Sequence, residues 1–180
     1  MEIEIKVKVE NIRPLLTFLE EKGKFKYTHN QIDEYYTPAH RNFVDVNPIE
    51  EWLRLRNSNG KFFITYKKHY YEEDGKSNYA DEFESAIDNL EQMNNIFKAL
   101  NFKYLITVDK NRSSWNYNDY EISLDSVKEL GEFVEIEYKG KDTNPKEITD
   151  KMMQFLMALE CGNLERNFKG YPYLLLEKKQ

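Results

Sequence analysis

Glu2-Ile3-Glu4-Ile5-Lys6-Val7-Lys8-Val9 opens the chain with strict alternation of charged and apolar residues. Successive side chains of a strand point to opposite faces, so Glu2, Glu4, Lys6 and Lys8 share one face and Ile3, Ile5, Val7 and Val9 the other. This is the pattern of a half-buried strand. An amphipathic helix is predicted next, with Pro14 near its first turn, Leu15, Leu16, Phe18 and Leu19 facing inward, and Gly23 at its end. The theme then returns twice. Ala80–Ile87 places Glu82 and Glu84 on alternate positions ahead of a helix carrying Leu90, Met93, Ile96, Phe97 and Leu100. Residues 133–138 place Glu135 and Glu137 against Val134, Ile136 and Tyr138, ahead of a helix that starts near Pro145.

Basic residues show the same two-residue spacing. Arg54 and Arg56 alternate with Leu53 and Leu55, Lys110 and Arg112 end an extended run beginning near Phe102, and Lys67 closes Phe62–Tyr66. Ser58-Asn59-Gly60 is a hairpin turn signal between two of these strands. The stretches 79–87, 102–112, 115–125 and 131–138 all read as strands. The expected fold class is therefore α+β: an antiparallel sheet of about eight strands, curled or closed, with three helices packed outside it. The 180 residues suit one domain spanning 1–180.

A single alternating strand is usually a solvated sheet face. Here the charges come as like-signed doublets on most strands, and like charges on one face repel. A bound ion or ligand removes that repulsion. Paired carboxylates suit a hard divalent cation such as Mg²⁺ or Mn²⁺, and paired Arg and Lys suit phosphate oxygens. Both sets facing one cavity describe a site for a metal-bound polyphosphate.

Other chemistries find less support. The net charge of −6 argues against binding a nucleic-acid polymer. His29, His40 and His69 lack ligand-like spacing with one another or with Cys161, so zinc is not expected. Cys161 falls at the end of an apolar-periodic helix and reads as buried filler. There is no Gly-x-x-x-x-Gly-Lys loop, so the phosphate must be held by side chains. The N-terminus opens on charges, no apolar run reaches membrane-spanning length, and one cysteine fits a reducing compartment; a cytoplasmic protein is expected.

Taken together, the motifs resemble those of the CYTH superfamily of triphosphate-tunnel metalloenzymes. Glu2-x-Glu4-x-Lys6 is similar to its opening signature, Gln31-x-Asp33-x-Tyr35-Tyr36 to its first connecting strand, and Arg54-x-Arg56 to its Arg-x-Arg strand. Thr65-Tyr66-Lys67, Glu82-x-Glu84 and Lys110-x-Arg112 follow in the same order. Leu124-Asp125 and Leu130-Gly131-Glu132-Phe133-Val134-Glu135-Ile136-Glu137 resemble the class IV adenylyl cyclase branch. The resemblance implies an eight-stranded antiparallel barrel with an open tunnel as its lumen. It implies that Glu2, Glu4, Glu135 and Glu137 hold Mg²⁺ or Mn²⁺, and that Lys6, Arg54, Arg56, Lys67, Lys110, Arg112 and Lys169 hold a triphosphate. Lys110 and Arg112 are the expected catalytic pair. Glu82, Glu84 and Asp125 would orient the basic groups or a second metal. The implied reaction is ATP to cyclic AMP and pyrophosphate. Hydrolysis of inorganic or thiamine triphosphate, or triphosphate binding without turnover, are the alternatives, and a homodimer is the implied assembly. Two positions depart from the pattern: Met1 stands where a histidine is frequent, and Gly170 stands where Ser is frequent before Tyr171.

Overall fold

The computed structural model describes residues 2–71 and 77–179, with side chains described except at 77 and 78. β1 (Glu2–Val9) is followed by α1 (Arg13–Lys22), then β2 (Lys24–Thr37), β3 (Glu51–Ser58), β4 (Lys61–Tyr71) and β5 (Ser77–Ile87). After α2 (Leu90–Ala99) come β6 (Lys103–Tyr117), β7 (Tyr120–Val127) and β8 (Gly131–Tyr138). The chain finishes with α3 (Pro145–Ala158), β9 (Leu164–Arg166) and α4 (Tyr171–Lys178).

The strands follow the order β5-β4-β3-β2-β6-β7-β8-β1, and β1 pairs back onto β5, so eight antiparallel strands close into a barrel. That last seam is short. Only Glu2↔Ala80 and Ile3↔Tyr79 join β1 to β5, and the rest of the same β1 edge is taken by β9 through Val7↔Arg166, Lys8↔Glu165 and Val9↔Leu164.

The alternation in β1 decides what goes where. Ile3, Ile5, Val7 and Val9 pack outward into a core with Leu15 and Leu19 of α1 and Ile148, Met152 and Leu156 of α3. Each helix shows the i, i+4 spacing that places these residues on one stripe. Asn144 accepts a hydrogen bond from Glu147 N–H to cap α3, with Pro145 in its first turn. Cys161 is buried in the same core. The Asn59-Gly60 turn has φ of 51° and 83°, as a two-residue hairpin of this hand requires.

Three expectations are corrected. The break expected between residues 112 and 115 is absent: Ser113 and Ser114 continue β6, and the turn falls at Asn118, whose φ is 51°. Ser114 is buried against Ser123, which is why a turn-like residue sits inside a strand. A fourth helix, α4, joins the three predicted. Finally, the lumen is not open throughout. Tyr35, Trp52, Ile106, Val108, Val127 and Phe133 share the faces that carry the charges and form a second core with Tyr171 and Leu175 of α4, filling one end of the barrel.

Candidate functional site

Past this apolar end, the inward face of every barrel strand turns polar around a cavity of about 290 Å³. Glu2, Glu4 and Lys6 enter from β1, Arg54 and Arg56 from β3, Lys67 from β4, and Glu82 and Glu84 from β5. Lys110 and Arg112 enter from β6, Glu135 and Glu137 from β8. Twelve of the fourteen residues singled out in the sequence thus line one cavity. Asp125 is fully buried just behind it. Lys169 lies elsewhere: its Nζ pairs with Glu177 at 2.9 Å over the Tyr173 ring, on the outside of α4. Gly170 turns the chain between Lys169 and Tyr171 so that the tyrosine enters the barrel and the lysine does not.

Strand register brings the two signs together. Glu4 is opposite Glu137 and Lys6 opposite Glu135. Lys6 Nζ lies 3.0 Å from Glu135 and 3.3 Å from Glu4. Lys67 Nζ lies 2.5 Å from Glu2 Oε2 and 2.8 Å from Glu4 Oε1. Arg112 spans two carboxylates, donating through Nε and Nη2 to Asp125 at 2.6 Å each and lying 2.7 Å from Glu135. Lys110 reaches Asp125 at 3.4 Å. On the opposite wall Arg56 donates in bidentate fashion to Asp33 at 2.6 and 2.7 Å. Arg54 lies 3.5 Å from the same carboxylate and donates to Thr65 Oγ1, which donates to Glu84.

These contacts set the charge states. Burial alone would raise the Glu4 carboxyl, but Lys6 and Lys67 hold it down at about 2. Glu135 is likewise held well below the usual carboxylate range by Arg112 and Lys6 against its burial. Glu2 goes the other way: burial and the adjacent Glu4 push it up to about 8 despite Lys67. Its Oε2 is buried without a hydrogen bond of proper geometry. Lys110 is the outlier among the cations, lowered to about 7 by burial and by Arg112, with Asp125 only partly offsetting them.

The carboxylates of β1 and β8 are hard oxygen donors in adjacent register, the chemistry a Mg²⁺- or Mn²⁺-sized ion takes. Each is paired with a cation in this arrangement, and among the described residues no three acidic, His or Cys side chains converge as a metal-holding group. Taking a metal there means Glu4 and Glu135 releasing Lys67 and Lys6.

Comparison with known proteins fits this arrangement. The sequence pattern of the CYTH domain matches residues 1–165. The chain belongs to the CYTH family. Members of the family are in general metal-dependent enzymes, cyclases or triphosphatases. The CYTH chain is 35% identical over 164 residues to a Methanocaldococcus jannaschii protein named "Putative adenylate cyclase", covering 90% of this chain and 91% of that one. A solved structure, PH1819 protein from Pyrococcus horikoshii, is 28% identical with a TM-score of 0.80, covering 99% of each chain. A Hippeastrum structure described as a "putative adenylyl cyclase" that "reveals a dominant" triphosphatase activity is 19% identical with a TM-score of 0.69, covering 100% of this chain and 97% of that one. At that identity the likeness is one of fold. No helix among the described residues is long and apolar enough to cross a membrane.

Sequence reasoning missed Asp33 and Tyr171. Asp33 was visible in Gln31-x-Asp33, yet its role as the anchor of both Arg54 and Arg56 depends on β2 lying beside β3. Tyr171 donates its hydroxyl to Asp125 at 2.8 Å, and its ring lies 5.2 Å from Lys6 Nζ and 5.1 Å from Lys110 Nζ. Nothing local in Lys169-Gly170-Tyr171 signals that reach.

Proposed function

We propose that this protein processes a triphosphate ester in the barrel lumen, with ATP cyclised to cyclic AMP and pyrophosphate as the reaction. One observation carries the reading: six cations and four metal-type carboxylates on different strands face one cavity, with Asp33 and Asp125 fixing the guanidinium groups from behind. The kinship to the archaeal protein named as a cyclase supports the choice of reaction.

In this reading Lys6, Arg54, Arg56, Lys67, Lys110 and Arg112 hold the phosphate chain. Their positions are set before the substrate arrives, so they need no reorganisation as charge builds on the phosphates. Glu4, Glu135 and Glu137, with Glu2 beside them, would hold the divalent metal, which when bound supplies charge neutralisation and polarises the phosphoryl oxygens. The 3′-hydroxyl attacks the α-phosphorus, and pyrophosphate departs onto the basic side chains. Arg112 lies against the phosphates with Asp125 locking its plane. Lys110, poised near 7, is a phosphate-side cavity group able to exchange a proton at neutral pH. The filled end of the barrel limits water at the reacting centre.

A second reading, hydrolysis at the terminal phosphorus, uses the same lumen and is supported by the activity given for the Hippeastrum protein. Product analysis separates the two. Incubation with Mg²⁺ or Mn²⁺ and ATP, tripolyphosphate or thiamine triphosphate is expected to give cyclic AMP and pyrophosphate from ATP; orthophosphate alone would establish the second. Folded Arg54→Ala and Glu137→Ala variants are expected to lose triphosphate binding, and undiminished binding would sink the lumen as the site.

A further inference from the structure

Among the described residues two cavity-lining side chains, Glu2 and Asn167, have a buried polar atom without a hydrogen bond, and Glu2 has Lys67 beside it as an ion-pair partner. Asn167 follows β9, on the part of the β1 edge that β5 leaves uncovered. Its backbone N–H donates to Lys6 C=O at 2.7 Å, which extends the β9 pairing by one step and puts Asn167 on the inward face beside Lys6. Its carboxamide is oriented, because Oδ1 accepts the backbone N–H of Lys169 at 2.9 Å. The Nδ2 group is therefore on the other side of the carboxamide, in a side chain that lines the cavity, and it is buried and, among the described residues, without a hydrogen-bond partner. An unmet buried donor costs about 1–3 kcal/mol. Such a group in a lining position points to a ligand acceptor.

The surroundings say which part of a ligand. The six cations are not the whole lining. His69, Tyr79, Ala80, Phe168 and Pro172 line the same cavity, with His69 opposite Ala80 across β4 and β5. His69 is held neutral, its pKa lowered to about 3 by burial and by Lys67. The guanidinium of Arg166 lies on the Phe168 ring at 4.5 Å. Beside its cations, Arg166 included, the lining thus offers rings, an alanine, a proline and a neutral amide, groups that suit a flat, uncharged heterocycle.

We infer that Asn167 is a substrate-contacting residue: its Nδ2 donates to the heteroaromatic end of a triphosphate ester, and these groups make the site prefer such esters to inorganic tripolyphosphate. The inference rests on the reading of the lumen as a triphosphate site. It also lies past the matched family pattern, which stops at residue 165.

Calorimetry tests it, with two non-cleavable probes and one cleavable ester kept from turning over by cold and by leaving out divalent metal. The probes are bis-methylene ATP, thiamine triphosphate at low temperature, and bis-methylene triphosphate as the inorganic chain. The wild-type protein is expected to bind at least one ester more tightly than the inorganic chain. Asn167→Ala is expected to weaken that ester about tenfold while changing the inorganic chain less than twofold. Asn167→Asp keeps the acceptor for Lys169 N–H but lacks the donor, so the loop stays in place and the ester-to-inorganic ratio should fall as in the alanine variant. Thermal melts check that both variants are folded. A wild type that binds no triphosphate would overturn the underlying reading. A wild type that binds the ester no more tightly than the inorganic chain, or a preference that survives both substitutions, would overturn the inference alone.

Discussion

Arg112 shows how this lumen is built at the scale of one side chain. Buried between Asp125 and Glu135, it is fixed by a bidentate contact on one side while the other side faces the cavity. Asp125 also accepts from Tyr171 and lies by Lys110, so it carries several partners while itself fully buried. Removing one member of a buried charge cluster strands the others, at about 3–5 kcal/mol. Asp125→Asn is therefore expected to lower unfolding stability by roughly 3 kcal/mol, measured by urea denaturation, with triphosphate affinity falling as Arg112 and Lys110 lose their alignment. Lys110 supports a pH prediction. Its folded pKa is about 7 against an ordinary 10.5, so above neutrality it is largely uncharged when no anion is present. In the unliganded protein the unfolded chain holds more protons between those values, so this group makes stability rise with pH across that window. Phosphate beside it restores the charged form. Triphosphate binding at pH 8 should therefore take up close to one proton, seen as calorimetric heats that vary with buffer ionisation enthalpy. At pH 6 the uptake should vanish, and in Lys110→Met it should be absent at both.

At the scale of elements, β1 does two jobs through its period of two. Its isoleucines and valines anchor α1 and α3 outside, and its charges line the lumen inside. α4 does the opposite job at the far end, inserting Tyr171 and Leu175 into the second core. The junction into α4 depends on Gly170, whose φ of 81° and ψ of 162° lie in a region that only glycine adopts readily. A Cβ there would meet nothing nearer than Pro172 Cδ at 3.7 Å, so the obstacle is the backbone and not space. Gly170→Ser, which restores the family's frequent residue, is thus expected to cost about 1–3 kcal/mol and to lower the melting temperature. A rise in melting temperature would show that the turn can be reorganised around the serine.

Taken whole, the barrel pairs its inward charges with one another. Glu2 and Glu4 hold Lys67, and Glu135 holds Lys6 and Arg112, so the carboxylates proposed for a metal are paired with the cations proposed for a triphosphate. On the proposed function, metal and triphosphate each displace the other's side chains, and their binding is coupled. Lys67→Met should expose this. With Glu2 released, Glu4 left with Lys6 alone and no triphosphate present, Mn²⁺ affinity followed by the free-ion spin-resonance signal is expected to rise about tenfold, roughly 1.4 kcal/mol. Unchanged Mn²⁺ affinity would mean that the pairing does not oppose metal binding.

How much of this was legible beforehand follows from the range of each signal. The alternation of β1, the Glu-x-Glu and Arg-x-Arg doublets and the helix start signals at Pro14 and Pro145 are written within a few residues, because side-chain direction in a strand or helix is a local property. From these came the sheet, the three outer helices and twelve residues of the cavity lining. The seam between β1 and β5, the anchoring of both arginines on Asp33, the filling of one end by Tyr171 and the unmatched amide of Asn167 all join residues far apart in the chain. Lys169 shows the limit most plainly. The family resemblance implied a phosphate ligand, yet Lys169 pairs with Glu177 outside α4, while Tyr171, across the positive-φ Gly170, is buried. By itself the sequence determined which residue types line the lumen, since periodicity needs only neighbours. Which of them meet, and which end is closed, was decided by the closure of the barrel, because only a closed ring brings its first strand against its fifth and its last helix into its mouth.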